Sequence, residues 1–131
     1  MLQKPVEIIL MRQLASYLAT PIFLVDPEGN MLFYNEAAEP LLGRRYEETG
    51  EMPLEEWATI FHPTALDGSP LAPDALPLVI ALKKHRAAYR ALRIRGLDGV
   101  SRRIEVSAFP LEGQGGHHLG AVAIFWEQDH R

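Results

Sequence analysis

At 131 residues the chain is about one domain long, and 47% hydrophobic against 23% charged residues is a globular balance that excludes a disordered tail or collagen-like repeat. Thirteen basic against 17 acidic side chains leave a net charge of -4 with no basic block, a poor basis for binding nucleic acid or an anionic membrane. Cysteine is absent, so disulfides, thiolate catalysis and a cysteinyl flavin adduct are excluded.

The first 21 residues carry no secretory signal, because Glu7 and Arg12 bracket an apolar core of only Ile8 to Met11. Nowhere does an uncharged apolar stretch reach the ~20 residues of a membrane helix, so the cytoplasm is the expected location. Residues 5–19 read as an amphipathic helix with Pro5 in its first turn. Val6, Ile9, Leu10, Leu14, Tyr17 and Leu18 recur at helical spacing, and Ile8, Met11 and Ala15 widen the stripe. Such a face must be covered by the body of the domain, a second copy, or both.

Thr20-Pro21 breaks the helix. Strands at Ile22 to Val25 and Met31 to Tyr34 flank the turn Pro27-Glu28-Gly29-Asn30. Neither run alternates, so both of their faces should be covered. Asn35 caps a short helix from Ala37 to Leu42, irregular at Pro40 and stopped by Gly43. Residues 44–53 read as a polar loop, and Leu54 to Phe61 as another short helix with Trp57, Ile60 and Phe61 on one side, ended by His62-Pro63. After a turn-rich stretch at Asp67-Gly68-Ser69-Pro70, Asp74 is placed to cap a helix running to about Arg86. Leu78 and Leu82 share its face, with His85 one turn on.

The last third alternates as strands do. Tyr89 to Arg95 is followed by the hairpin turn Leu97-Asp98-Gly99. Val100 to Leu111 then places Ile104, Val106 and Ala108 opposite Arg103, Glu105 and Ser107. Gly113 to Gly116 forms a turn, and Leu119 to Trp126 completes an α+β set of five strands.

This order, with the residues at its joints, resembles the PAS domain family. The stretch from Pro21 through Asp26, Gly29 and Asn35 to Ala38 is similar to the family's opening pattern of strand, Asp, turn Gly, strand, Asn and small helix. Leu41-Leu42-Gly43, Asp98-Gly99 with Ile104 to Leu111, and Gly120 to Phe125 resemble later joints, so the likeness spans residues 15–127. The resemblance implies a five-stranded antiparallel sheet with short helices over one face, enclosing a hollow that holds haem, flavin or a small metabolite, or is filled by side chains. It divides the chain into an N-terminal helix, residues 1–19, for dimerisation or capping, and a sensor domain over residues 20–131. Apolar placement together with this likeness points to Phe33, Leu42, Trp57, Phe61, Val79, Leu82, Ile104 and Val106 as the lining of the hollow. Val6, Ile9, Leu10, Leu14 and Tyr17 are the expected homodimer surface.

Relatives that bind haem often use a His on the long helix before the third strand, which singles out His85. Its setting, Lys83-Lys84-His85-Arg86 at a helix end, favours a solvated side chain over ligation. Light-sensing relatives need a cysteine beside the flavin, leaving only a non-covalent flavin, stacked on Trp57 or Trp126. Both tryptophans read more simply as core or interface. His117-His118 reads as a solvated turn whose side chains diverge.

An enzyme of the α+β cone type needs an acid or base facing the hollow. Asp26, His62 and Glu105 are the candidates, and each has a local explanation as turn, helix stop and exposed strand face. Ser101 and Ser107 lack an activating partner. Arg90, Arg93, Arg95, Arg102 and Arg103 form either a docking face for an acidic partner or the polar side of a half-exposed sheet, balanced by Glu105 and Glu112. The reading is a non-enzymatic sensory or interaction module. Its partners would be a second copy and a kinase, cyclase or other output domain, joined in cis or docked in trans.

Overall fold

A computed structural model describes residues 6–128. The helix start expected at Pro5 lies outside them. The α-helices are α1 (Val6–Tyr17), α2 (Glu39–Leu42), α3 (Tyr46–Thr49), α4 (Leu54–Ile60) and α5 (Pro77–Lys84). The strands are β1 (Ile22–Val25), β2 (Met31–Tyr34), β3 (Ala88–Arg95), β4 (Ser101–Glu112) and β5 (His118–Glu127). They form one antiparallel sheet in the order β2-β1-β5-β4-β3. The fold is thus α+β, with β1 and β5 from opposite ends of the chain side by side.

The sheet is covered on both faces, which is why β1 reads as an unbroken apolar run: all four of its residues are buried. Alternate residues serve opposite sides. Phe23 and Val25 join Tyr34, Trp57, Val79 and Phe125 in a core beneath α2, α4 and α5. Ile22 and Leu24 join Ile8, Ala15, Leu32 and Val122 in a second cluster beneath α1.

Asn35 connects the two layers. It is the one polar residue among those described that is wholly buried. Its carbonyl oxygen accepts from the backbone N–H of Ile22 at 2.9 Å and of Ala38 at 3.2 Å. Its amide donates to the carbonyls of Ala15 and Thr20, each at 2.9 Å. The expected cap of the following helix is therefore also the clamp joining the end of α1 to the start of β1. That helix opens as a 3-10 turn (Glu36–Ala38), restarts as α2 with Pro40 in its first turn, and stops at Gly43 with φ of 82°.

Three expectations need correction. Residues 44–53 are not a plain loop: they contain α3, whose Tyr46 N–H donates to Glu39 Oε2 at 2.9 Å, and Met52 bridges Met31. Asp74 does not cap α5. The residue before a proline disfavours the helical region, so Leu76, ahead of Pro77, takes an extended conformation and becomes the N-cap. Asp74 instead lies in a 3-10 turn and pairs with Lys83 at 3.5 Å. Finally, α5 ends at Lys84, and His85 caps it in the left-handed conformation with φ of 55°.

Candidate functional site

Between the sheet and the short helices lies a hollow of about 100 Å³. Its floor is the inner face of the sheet: Phe23 from β1, Leu92 and Ile94 from β3, Ile104 and Val106 from β4, and Ala123 and Phe125 from β5. Its roof comes from Leu42 of α2, Trp57 of α4, Phe61 and Pro63 just beyond it, and Leu76, Pro77 and Leu78 where α5 begins. No polar atom, backbone or side chain, opens onto this space. The one hydrogen-bonding side chain in the wall, Trp57, donates its indole N–H to the Gly29 carbonyl at 2.7 Å. The hollow exists because strand alternation turns short or branched residues such as Ala123, Val106 and Ile104 toward helices too short to fill the space above them.

Five of the expected lining residues meet here: Leu42, Trp57, Phe61, Ile104 and Val106. Val79 and Leu82 are buried in the same core without reaching the hollow, since α5 turns them toward the sheet and toward Gly29. Phe33 is on the other side of the sheet. Its strand neighbour Tyr34 faces inward, so period-two alternation sends Phe33 outward, where the Arg12 guanidinium lies 4.6 Å from its ring centre. There it borders a polar groove of about 460 Å³ shared with Glu36, Glu39, Arg45 and Tyr46. Lining residues missed from sequence include Phe23, Leu92, Ile94 and Phe125. Phe23, Leu92 and Phe125 are in register with the lining residues Ala123, Ile104 and Val106, a signal available only once pairing is known, and Ile94 follows Leu92 by two positions on the same face of β3.

The titratable candidates lie elsewhere. Asp26 accepts from the N–H groups of Glu28 and Asn30 in the β1–β2 turn. His62 ends α4 with a left-handed φ of 46°. Glu105 sits on the outer face of β4, bonded to the Tyr89 hydroxyl and, at 3.1 Å, to the Trp126 indole. Trp126 is therefore an outer-face residue and Trp57 a core one. Of the arginines, Arg102 pairs with Asp98 at 3.0 Å and donates to the Leu41 carbonyl. That pair, with the Val100 N–H, holds the Asp98 carboxyl below its ordinary range. Burial pushes the Tyr34 phenol up, its hydroxyl donating to the Arg44 carbonyl at 2.7 Å.

Neither cofactor considered from sequence fits the hollow. Haem needs an axial ligand, and no lining residue is His, Cys, Met or Tyr. The left-handed turn at His85 carries it out of line with Leu78 and Leu82 into solvent, where its ring meets His118 with centres 4.3 Å apart. His118 pairs with Glu112 as the first residue of β5, not in the solvated turn expected from sequence, and its ring nitrogens are shielded. A flavin needs partners for its ring nitrogens and carbonyls, and this wall offers none. Among the described residues, no group of three or more His, Cys, Asp or Glu is placed to hold a metal ion.

A family model of the PAS fold matches residues 10–126, most of the chain. The chain belongs to the PAS family. Solved structures agree on the fold. The PAS domain of Bordetella pertussis BvgS is 18% identical with a TM-score of 0.63, over 95% of this chain and 88% of that one. The PAS domain of nitrogen regulation protein NR(II) from Vibrio parahaemolyticus is 17% identical with a TM-score of 0.63, over 91% and 98%. The Rhodobacter sphaeroides LOV protein is 14% identical with a TM-score of 0.71, over 95% of this chain and 69% of its own. No curated protein matches the sequence. As a PAS domain the chain is a module of the kind found in sensory signalling proteins. No helix among the described residues is long and apolar enough to cross a membrane.

Proposed function

We propose that this PAS domain is a non-catalytic sensory module of the bacterial cytoplasm, working as a homodimer through α1. A small molecule entering the hollow favours one arrangement of the short helices over the sheet. The N-terminal helix α1 or the last strand β5 relays that preference to an output domain, a kinase, a cyclase or another, in cis or in trans. Similar domains occur in a two-component sensor histidine kinase.

The observation that carries this reading is the division of labour on α1. Only Ile8 and Ala15 are buried against the sheet, with Met11 partly so. Val6, Ile9, Leu10, Leu14, Tyr17 and Leu18 stay exposed, Leu10 at 57% and Tyr17 at 80%. One small domain leaves an apolar stripe uncovered directly over the sheet that floors the hollow, and a second copy supplies a matching stripe. For the haem and cone-type enzyme alternatives no observation speaks: neither His85 nor Asp26, His62 or Glu105 touches the hollow.

Light scattering after size exclusion tests the reading. The wild-type chain is expected at twice its 14.7 kDa mass and the double variant Leu10→Glu/Leu14→Glu at the single mass, with an unchanged circular-dichroism spectrum, since both side chains point away from the core. A monomeric wild type, or a variant that remains a dimer, refutes it.

A further inference from the structure

We propose that the ligand of this hollow is a small, uncharged, hydrocarbon-like molecule no larger than a single six-membered ring, and not a flavin, a haem or a polar metabolite. The inference rests on the reading above that the hollow is the receiving site, and it assigns the chemical class of what is received.

Two features of the wall decide the class. The first is the lack of any exposed polar atom, together with the commitment of the Trp57 N–H to Gly29. A hydroxyl, amide or charge entering this space gives up its bonds to water and finds no replacement, which weakens binding by about tenfold to a hundredfold for each neutral polar group. The second is size. About 100 Å³ is well below the ~300 Å³ at which drug- and cofactor-sized pockets begin. Apolar protein cavities of the order of 150 Å³, walled by Leu, Ile and Phe, stay free of water and admit benzene or xenon. The present wall is mostly Leu, Ile and Phe, completed by other apolar residues, with Phe23, Phe61 and Phe125 placed to meet a ring.

Access is compatible with this class. Pro63 is the lining residue that is only half-buried, so the hollow comes nearest to solvent beside the segment that leaves α4. That segment is held to the sheet by the Arg95 N–H bond to the Phe61 carbonyl at 2.7 Å and by paired bonds between Thr64 and Arg93, both at 2.9 Å. A compact neutral solute passes under such a strap more readily than an elongated cofactor.

The test is methyl NMR of the full chain titrated with benzene, xenon and phenol. Expected are saturable shifts for benzene and xenon centred on Leu92, Ile94, Ile104, Val106 and Ala123, and at least about tenfold weaker binding of phenol. Ala123→Leu, which fills the hollow, should abolish the benzene response; if that variant does not fold, the wild-type ratio of benzene to phenol affinity decides alone. No saturable shift with benzene in folded protein, or phenol binding as tightly as benzene, overturns the inference. Benzene binding that leaves the α1 resonances unmoved supports the ligand class while refuting the sensory reading. A polar metabolite that seats in the hollow and moves α1 does the reverse.

Discussion

Replacing Asn35 tests whether one side chain joins the N-terminal helix to the sheet. In Asn35→Ala the Ile22 N–H, buried at the head of β1, loses the acceptor that meets it at 2.9 Å. A buried donor left bare costs about 1–3 kcal/mol. The bonds to the Ala15 and Thr20 carbonyls also go, but Ala15 keeps the Leu18 N–H at 3.2 Å and Thr20 lies on an exposed linker. These add roughly 0.5–1.5 kcal/mol together, while Ala38 N–H keeps the backbone carbonyl of residue 35. The expected loss is about 3 kcal/mol, a large part of the 5–15 kcal/mol typical of a domain. Asn35→Asp sharpens the test. It retains the acceptor for Ile22 but points an acidic oxygen at two carbonyls, so its carboxyl should hold its proton in the folded state to a higher pH than in the unfolded chain. A raised folded pKa means stability that is present below the unfolded value of about 3.9 and lost as pH rises through the folded one. Urea unfolding between pH 4 and pH 7 should therefore show Asn35→Asp close to wild type at the acid end and falling steadily, while Asn35→Ala shows a constant deficit. A deficit under about 1 kcal/mol for Asn35→Ala, or a flat profile for Asn35→Asp, refutes the clamp.

Two further outcomes follow from local geometry. Gly120 in β5 has φ of 121°, and a Cβ there would lie 2.0 Å from the Val25 carbonyl oxygen. Gly120→Ala is therefore expected to cost ~3 kcal/mol or more, read as a collapse of the thermal midpoint, and a near-native midpoint would contradict the close approach of β1 and β5. Asp98 is held below its ordinary range first by the Arg102 side chain and then by the Val100 N–H. A lowered folded pKa contributes stability present above the unfolded value and lost as pH falls through the folded one. Asp98→Asn should thus flatten the acid limb of a stability profile below about pH 4, and an unchanged limb would show the pair to be silent.

Much of this architecture was legible because its joints carry local chemistry. The Leu97-Asp98-Gly99 turn set the β3–β4 hairpin, whose Arg95–Ser101 pairing is what such a turn produces. Asn35 was readable as a cap, since its side chain serves the nearest N–H groups; its bonds to Ala15 and Thr20, about 15 to 20 residues earlier in the chain, left no local trace. The side that Phe33 faces has no signal in the sequence, because a strand buried on both faces shows no alternation. Only the pairing of Phe23 with Tyr34, and of Leu24 with Phe33, fixes which side is which. The single turn of α3 has no apolar stripe to announce it, and distant partners at Glu39 and Leu32 hold it. Helical periodicity extends α5 to about Arg86 and sets His85 in line with Leu78 and Leu82, because it assumes that a helix continues; the left-handed terminal residue leaves that line and keeps the exposure that the flanking Lys83, Lys84 and Arg86 announce.

The sheet of this domain is a partition one strand thick. Along β1, Ile22 and Leu24 belong to one compartment, Phe23 and Val25 to the other; along β5, Val122 neighbours Ala121 and Ala123 across the same divide. No backbone atom of these two strands can be displaced on behalf of one side alone. Phe23 and Ala123 are thus one peptide away from Ile22, Leu24 and Val122, the residues against which Ile8 and Ala15 pack, with no lever, hinge or helix between the two compartments.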